Sequence, residues 1–160
     1  MFKSRHIGFD HLMPSSYTKL YAHLVFATKN RNQQIQLDWA PELHAYLGGC
    51  LKRANAIPIE IGGYKEHVHI LTQFKPTHCL SNLLCDIKSA SSLWVHQDIS
   101  LKTFEWQEGY GAFSCSSEGI EALRKYIQNQ VVHHREKTFL EEYEELLREA
   151  GMELDSRYLP

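Results

Sequence analysis

The residues with the clearest chemical potential are His67 and His69, in the stretch Tyr64-Lys65-Glu66-His67-Val68-His69-Ile70-Leu71. In an extended strand successive side chains point to opposite faces, so the two histidines share one face and Val68 and Ile70 the other. The apolar face can pack into a core and leave the imidazoles projecting from the opposite side. Two neutral imidazoles one strand repeat apart can hold a metal ion if a third ligand comes from elsewhere. The chain has ten histidines in 160 residues, so a His-x-His pair also arises by chance, and the pair needs partners before it is a site.

Partners occur later in the chain. Over residues 118–136 a helical spacing of about 100° per residue gathers Ile120, Leu123, Ile127 and Val131 into one apolar stripe. Tyr126, Gln130 and His133 fall together on a flank of that stripe, and Tyr126 and Gln130, at i and i+4, are neighbours. A tyrosine oxygen can attack a phosphodiester and keep the bond energy in a phosphotyrosine for later rejoining. Its pKa of about 10 makes it a poor nucleophile near neutrality, so the electrophile must be activated, as a metal ion does for a phosphate. The side-chain oxygen of Gln130 could complete a His-His-Gln set. Singly, each residue reads as ordinary: a half-buried helix tyrosine, a surface glutamine, and basic residues His133-His134-Arg135 suited to a helix end.

These residues must be positioned by the elements around them. Residues 17–28 alternate as a first strand, with Leu20, Ala22, Leu24 and Phe26 against Tyr21, His23 and Val25. A helix capped by Asp38 runs to about residue 54, with Leu43, Leu47, Cys50 and Leu51 as its apolar stripe. Strands over 57–64 and 67–74 form a hairpin around Lys65-Glu66, and Gly62-Gly63 marks a bulge or a close approach. A helix to about residue 96 buries Leu80, Leu83, Leu84, Ile87 and Leu93. Short strands or an ordered loop follow at 104–107 and 111–114. The 118–136 helix is capped by Ser116 or Ser117, and a last helix over 138–150 ends at Gly151. Its acidic face reads as solvated surface. The order β-α-β-β-α-β(-β)-α predicts an α+β protein, a ferredoxin-like or RRM-like split βαβ sandwich: an antiparallel sheet with helices on one face, plus C-terminal helices. The other sheet face would then lie open beside His67 and His69.

Composition fits this picture. Apolar residues at 43% and charged residues at 22% suit a globular protein, expected as one domain over 17–150 with an arm at 1–16 and a tail at 151–160. No apolar run approaches the roughly 20 residues that span a bilayer, and no signal peptide is evident, so the expected compartment is the cytoplasm. Cys50, Cys79, Cys85 and Cys115 form no Cys-x-x-Cys pair and read as reduced thiols; His78, Cys79 and Cys85 match no familiar zinc spacing. The net charge of −2 hides an asymmetry: residues 136–160 hold eight acidic and three basic side chains, residues 1–135 eleven acidic and fourteen basic. The mildly basic body permits phosphate binding.

Taken together, His67-Val68-His69 on a strand and Tyr126-x-x-x-Gln130 on a late helix resemble the single-tyrosine HUH transposases of small bacterial insertion sequences (HUH, His-hydrophobic-His). This family includes insertion-sequence-200-like and REP-associated tyrosine transposases. Residues 63–71, Ile87-Lys88-Ser89, 106–113, Tyr126-Ile127-Gln128-Asn129-Gln130 and His133-His134-Arg135 share the likeness, which spans roughly residues 17–145. The resemblance implies a ferredoxin-like or RRM-like fold acting on single-stranded DNA. His67, His69 and Gln130 would hold Mg2+ or Mn2+. Tyr126 would be the nucleophile, forming a 5′-phosphotyrosine and freeing a 3′-OH. It further implies recognition of hairpins at element ends and a homodimer whose subunits share active sites. In such a nucleoid-associated enzyme the acidic C-terminal segment is expected to face away from DNA.

Phosphate contacts are expected from Lys88 first, then Lys29, Arg31, Arg124 and Lys125, with Lys52 and Arg53 as further candidates. Tyr64, Trp106 and Tyr110 could stack on unpaired bases. Three alternatives stay open: a non-catalytic single-stranded nucleic-acid binder of the same fold, a domesticated relative acting on host repeats, and a small zinc hydrolase built on His67 and His69.

Overall fold

The alternation in β1 (Leu20–Ala27) divides its side chains between two buried faces. Ala22, Leu24 and Phe26 enter one core, while Val25 and Ala27 enter a second on the opposite face. The computed structural model describes residues 17–153; the expected arm over 1–16 and most of the expected tail lie outside the described residues.

β1 pairs antiparallel with β3 (His67–Phe74), which sets Val25 opposite His69 and Ala27 opposite His67. β2 (Ile57–Gly63) joins β3 through the expected turn, closed by Tyr64 N donating to His67 O at 3.1 Å. β4 (Gly111–Cys115) pairs with the free edge of β1. The sheet order is β2-β3-β1-β4, with every pair antiparallel. With α1 (Ala40–Arg53) between β1 and β2, and α2 (Leu80–Trp94) between β3 and β4, this is the ferredoxin-like α+β arrangement. The register shift in β2 lies between Pro58 and Glu60 rather than at the glycine pair. Gly62 serves close approach instead: a Cβ there would sit 2.5 Å from Ile127 O.

Helices α1 and α2 cover the first face through Leu43, Leu47, Leu51, Leu83, Leu84 and Ile87. Leu93, expected inward, is 55% exposed. Ser91 takes the inward position, donating to Ile87 O at 2.7 Å and accepting from Trp106 Nε1 at 2.9 Å.

The second face is not open. It is covered by α3 (Ile120–Gln128), the single turn α4 (Gln130–His133) and α5 (Phe139–Glu149). The continuous helix expected over 118–136 breaks at Asn129, whose φ of −95° and ψ of 11° leave the helical region. The break turns Val131 out of the expected stripe, to 39% exposure, and swings Gln130 inward. Helix α5 starts at a capping box in which Thr138 N donates to the Glu141 carboxylate at 2.9 Å, while Thr138 Oγ1 accepts from Glu141 N. Among the described residues, no helix is long and apolar enough to cross a membrane.

Candidate active site

The strand pairing that builds the sheet also places the histidines. Both lie in the middle of the second face, completely buried, with Phe139 of α5 stacked on the His67 ring at 4.4 Å between centroids. Helix α3 crosses the adjacent edge against β2, where Gly62 lets it approach closely. That crossing brings Tyr126 edge-on to His69, with ring centroids 5.7 Å apart. After the break at Asn129, Gln130 is 1% exposed and its Oε1 lies 3.1 Å from His67 Nε2. The four residues singled out by spacing therefore meet within one chain.

The surrounding groups control their polarity. His23 Nε2 and His69 Nδ1 hydrogen-bond at 2.9 Å, and their rings stack at 5.1 Å. Burial first, then the neighbouring His69, lowers the pKa of His23 to about 3, so its imidazole is neutral. Burial likewise drives His67 well below the usual histidine range, and the neutral imidazole is the metal-binding form. With His69 Nδ1 engaged, its Nε2 is buried with no hydrogen-bond partner among the described residues.

These donors suit a divalent cation. At metal–ligand distances of about 2.1 to 2.3 Å, adjacent donors of an octahedral ion stand about 3 Å apart, as His67 Nε2 and Gln130 Oε1 do. His69 Nε2, which makes no hydrogen bond of good geometry among the described residues and has Glu142 Oε1 3.4 Å away, is a further donor. The ligand atoms of His67, His134 and Glu142 also lie within 4.8 Å of one another.

Glu142 was not foreseen. It projects from α5 into the centre of the site, opposite to the solvated role expected of that acidic helix. Its carboxylate accepts from the Tyr126 hydroxyl, from Gln130 Nε2 at 2.8 Å and from His134 Nε2 at 2.9 Å. Burial opposes its charge, but the hydrogen bonds it accepts hold it ionised, below the usual carboxylate range. Burial and this carboxylate together push the Tyr126 phenol well above its ordinary value, which keeps the tyrosine protonated at rest.

The expected DNA-contact residues are dispersed, and Lys88, on α2, lies over the first face of the sheet, opposite the histidines. Lys88 Nζ donates to Glu108 O at 3.1 Å and to Gly109 O at 3.0 Å, over the Phe26 ring. Lys29 pairs with Glu105. Arg124 lies 3.6 Å from Glu60 and 3.3 Å from Glu121. Lys125 and Arg31 are exposed. Tyr64 stacks almost parallel on His134 at 5.3 Å. Trp106 is core, edge-on to Phe26 and Phe104, whereas Tyr110 is 38% exposed.

Solved structures share this fold. A candidate transposase from Deinococcus radiodurans R1 superposes with a TM-score of 0.60 at 24% identity, covering 81% of this chain and 98% of the other. A REP-associated tyrosine transposase, solved bound to a REP hairpin, superposes with a TM-score of 0.56 at 16% identity, covering 84% of this chain and 74% of the other. At these identities the likeness is one of fold. No curated protein matches the sequence significantly. The sequence family described as "Transposase IS200 like" matches residues 16–130, well over half of the chain, and the protein therefore belongs to the IS200-like transposase family.

Proposed function

We propose that this transposase cuts and rejoins single-stranded DNA through a covalent tyrosine intermediate, with a divalent metal ion, at element ends that form hairpins. The observation that carries the reading is the convergence of the Tyr126 hydroxyl, His67 Nε2, Gln130 Oε1 and the unpartnered His69 Nε2 on one buried point. A tyrosine with no metal-ligand set beside it would be an ordinary helix residue. A histidine pair with no nucleophile would suit the hydrolase alternative.

His67, His69 and Gln130 would hold the ion, and their two imidazoles favour Mn2+ over the more oxygen-selective Mg2+. When bound, the ion polarises the scissile phosphate and offsets charge developing on it. Tyr126 Oη attacks phosphorus as its proton passes to water; the bond from phosphorus to the 3′ oxygen breaks, and that oxygen takes a proton from water and leaves as a 3′-OH. The 5′-phosphotyrosine holds the cut strand until a second 3′-OH reverses the step. His23 orients His69, and Gln130 spans the nucleophile and His67. Lys125, Arg31, Lys29 and Arg124 would follow the DNA backbone, Lys29 and Arg124 exchanging their carboxylate partners for phosphates. Lys88 would act by holding the 108–109 loop, and Tyr64 would stack on a base. The hairpin substrate is suggested by the bound REP hairpin of the structural neighbour. Work on chromosomal DNA would place the enzyme at the cytoplasmic nucleoid. In a homodimer, each subunit would carry its own complete set of Tyr126, His67, His69 and Gln130.

The test uses end-labelled single-stranded DNA containing the hairpins that flank the gene. With Mn2+, wild type should give a labelled band at the protein's position on a denaturing gel. EDTA should abolish that band. Tyr126→Phe should lose it while still retarding the hairpin on a native gel. An adduct that survives in Tyr126→Phe sinks the assignment. Chelator-indifferent binding with no adduct, on the correct flanking DNA, would make the protein a binding module instead.

A further inference from the structure

One buried side chain has no task in the chemistry above. Glu141, Glu144 and Glu149 of α5 face solvent, yet Glu142 is 1% exposed and points the other way. Its Oε1 accepts from Tyr126 and Gln130 and lies 3.4 Å from His69 Nε2. Its Oε2 accepts from His134 and lies 3.7 Å from His67 Nε2; His133 Nε2 stands 3.9 Å from the carboxylate. Taking a carboxylate out of water is costly unless positive charge meets it. Among the described residues, the groups that meet this one are four imidazoles, a phenol and an amide. A divalent cation supplies the charge and leaves the imidazoles free to bind it.

The same carboxylate stands where a substrate must come. His67 and His69 are sealed from solvent, with Phe139 of α5 stacked on His67, and Glu142 already takes the nucleophile's hydrogen bond. A phosphodiester oxygen would need the position that Glu142 occupies, between Tyr126 and the metal-binding atoms. Both groups are singly charged hard-oxygen ligands, so one can replace the other with no change in the charge of the site.

We infer that Glu142 is a ligand of the divalent ion in the DNA-free protein and yields that place to an oxygen of the scissile phosphodiester. The inference rests on the reading that His67, His69 and Gln130 hold such an ion. The departure of Glu142 from that place also frees the Tyr126 hydroxyl.

Two measurements on the full chain test it: Mn2+ titration without DNA, followed by the paramagnetic signal of free Mn2+, and the rate of adduct formation at saturating Mn2+. Glu142→Gln should weaken Mn2+ binding by at least about tenfold, the scale on which ligand-sphere changes act. The same variant should form adduct faster than wild type once Mn2+ saturates. Glu142→Asp, which keeps the carboxylate, should bind Mn2+ more tightly than Glu142→Gln. Unchanged affinity in Glu142→Gln overturns the inference, as does equal weakening by Gln and Asp. Loss of adduct at saturating Mn2+ also overturns it, because Glu142 would then stay on the ion throughout. His67→Ala separates the two levels. Mn2+ binding that needs His67 but not Glu142 removes only the inference, whereas a wild type that binds no Mn2+ removes the underlying reading.

Discussion

At the scale of single residues, the bond between His23 and His69 has a direction. If His69 binds metal through its unpartnered Nε2, its Nδ1 carries the proton and donates to His23 Nε2. Neutral His23 can accept it. Partners of this kind fix the tautomer and orientation of a metal-binding histidine, and their loss typically costs about 10- to 100-fold in metal affinity. His23→Phe should therefore weaken Mn2+ binding on that scale, with His23→Gln, which retains an acceptor, falling between; calorimetric titration decides, and an undiminished His23→Phe counts against the role. The lowered pKa of His23 also links stability to pH. The unfolded chain takes up a proton below its ordinary value of 6.5, and the folded chain only near 3. Stability from this site is thus full above 6.5 and falls with pH down to about 3. The melting temperature of the metal-free protein should drop between pH 7 and 5, and less steeply in His23→Phe. His67 and His69 were legible in sequence because a strand's period of two places them on one face. Tyr126 and Gln130 were read as neighbours on one continuous helix, but the helix breaks between them at Asn129, so the turn at that break, and not an i, i+4 spacing, brings Gln130 to the site. The alternation of β1 put His23 on the second face, but its bond to His69 depends on the register between β1 and β3, which no local pattern records.

At the scale of elements, α3 and α5 decide whether the site exists. The approach of α3 to β2 depends on Gly62, where a Cβ would lie 2.5 Å from the backbone oxygen of Ile127 and 2.9 Å from its side chain. Backbone cannot yield as a flexible side chain can, so Gly62→Ala should destabilise by about 1 to 3 kcal/mol and shift Tyr126 away from His69. Chemical denaturation measures the first effect; the adduct rate at a temperature where the variant remains folded measures the second. A variant of wild-type stability and rate would show that the contact is slack. The break at Asn129 was hidden because the apolar period runs on through Val131, although asparagine is a weak helix former. The inward turn of Glu142 left a readable trace. Phe139, Glu142, Tyr143 and Leu146 occupy i, i+3, i+4 and i+7, so the carboxylate sits in the apolar stripe of its helix. The abundance of acidic residues around it concealed that position.

At the scale of the whole molecule, a ferredoxin-like sheet is covered on both faces by helices of its own chain. One face is structural, with α1 and α2 over Leu24, Phe26, Val68 and Ile70. The other buries His67, His69, Gln130 and Glu142, and every group proposed for catalysis belongs to one polypeptide. Mixing Tyr126→Phe with His67→Ala protein should therefore yield no adduct, since neither chain keeps both halves of a site. Restored adduct in the mixture would mean that the tyrosine helix is exchanged between subunits. The central claim, that Tyr126 becomes covalently joined to DNA, is tested most directly by mass spectrometry of the trapped reaction. After incubation with hairpin-bearing single-stranded DNA and Mn2+, then digestion with nuclease and trypsin, the account predicts a nucleotide phosphate attached to the peptide that carries Tyr126. DNA that is cut while that peptide stays unmodified, or a nucleotide attached to another residue, would contradict it.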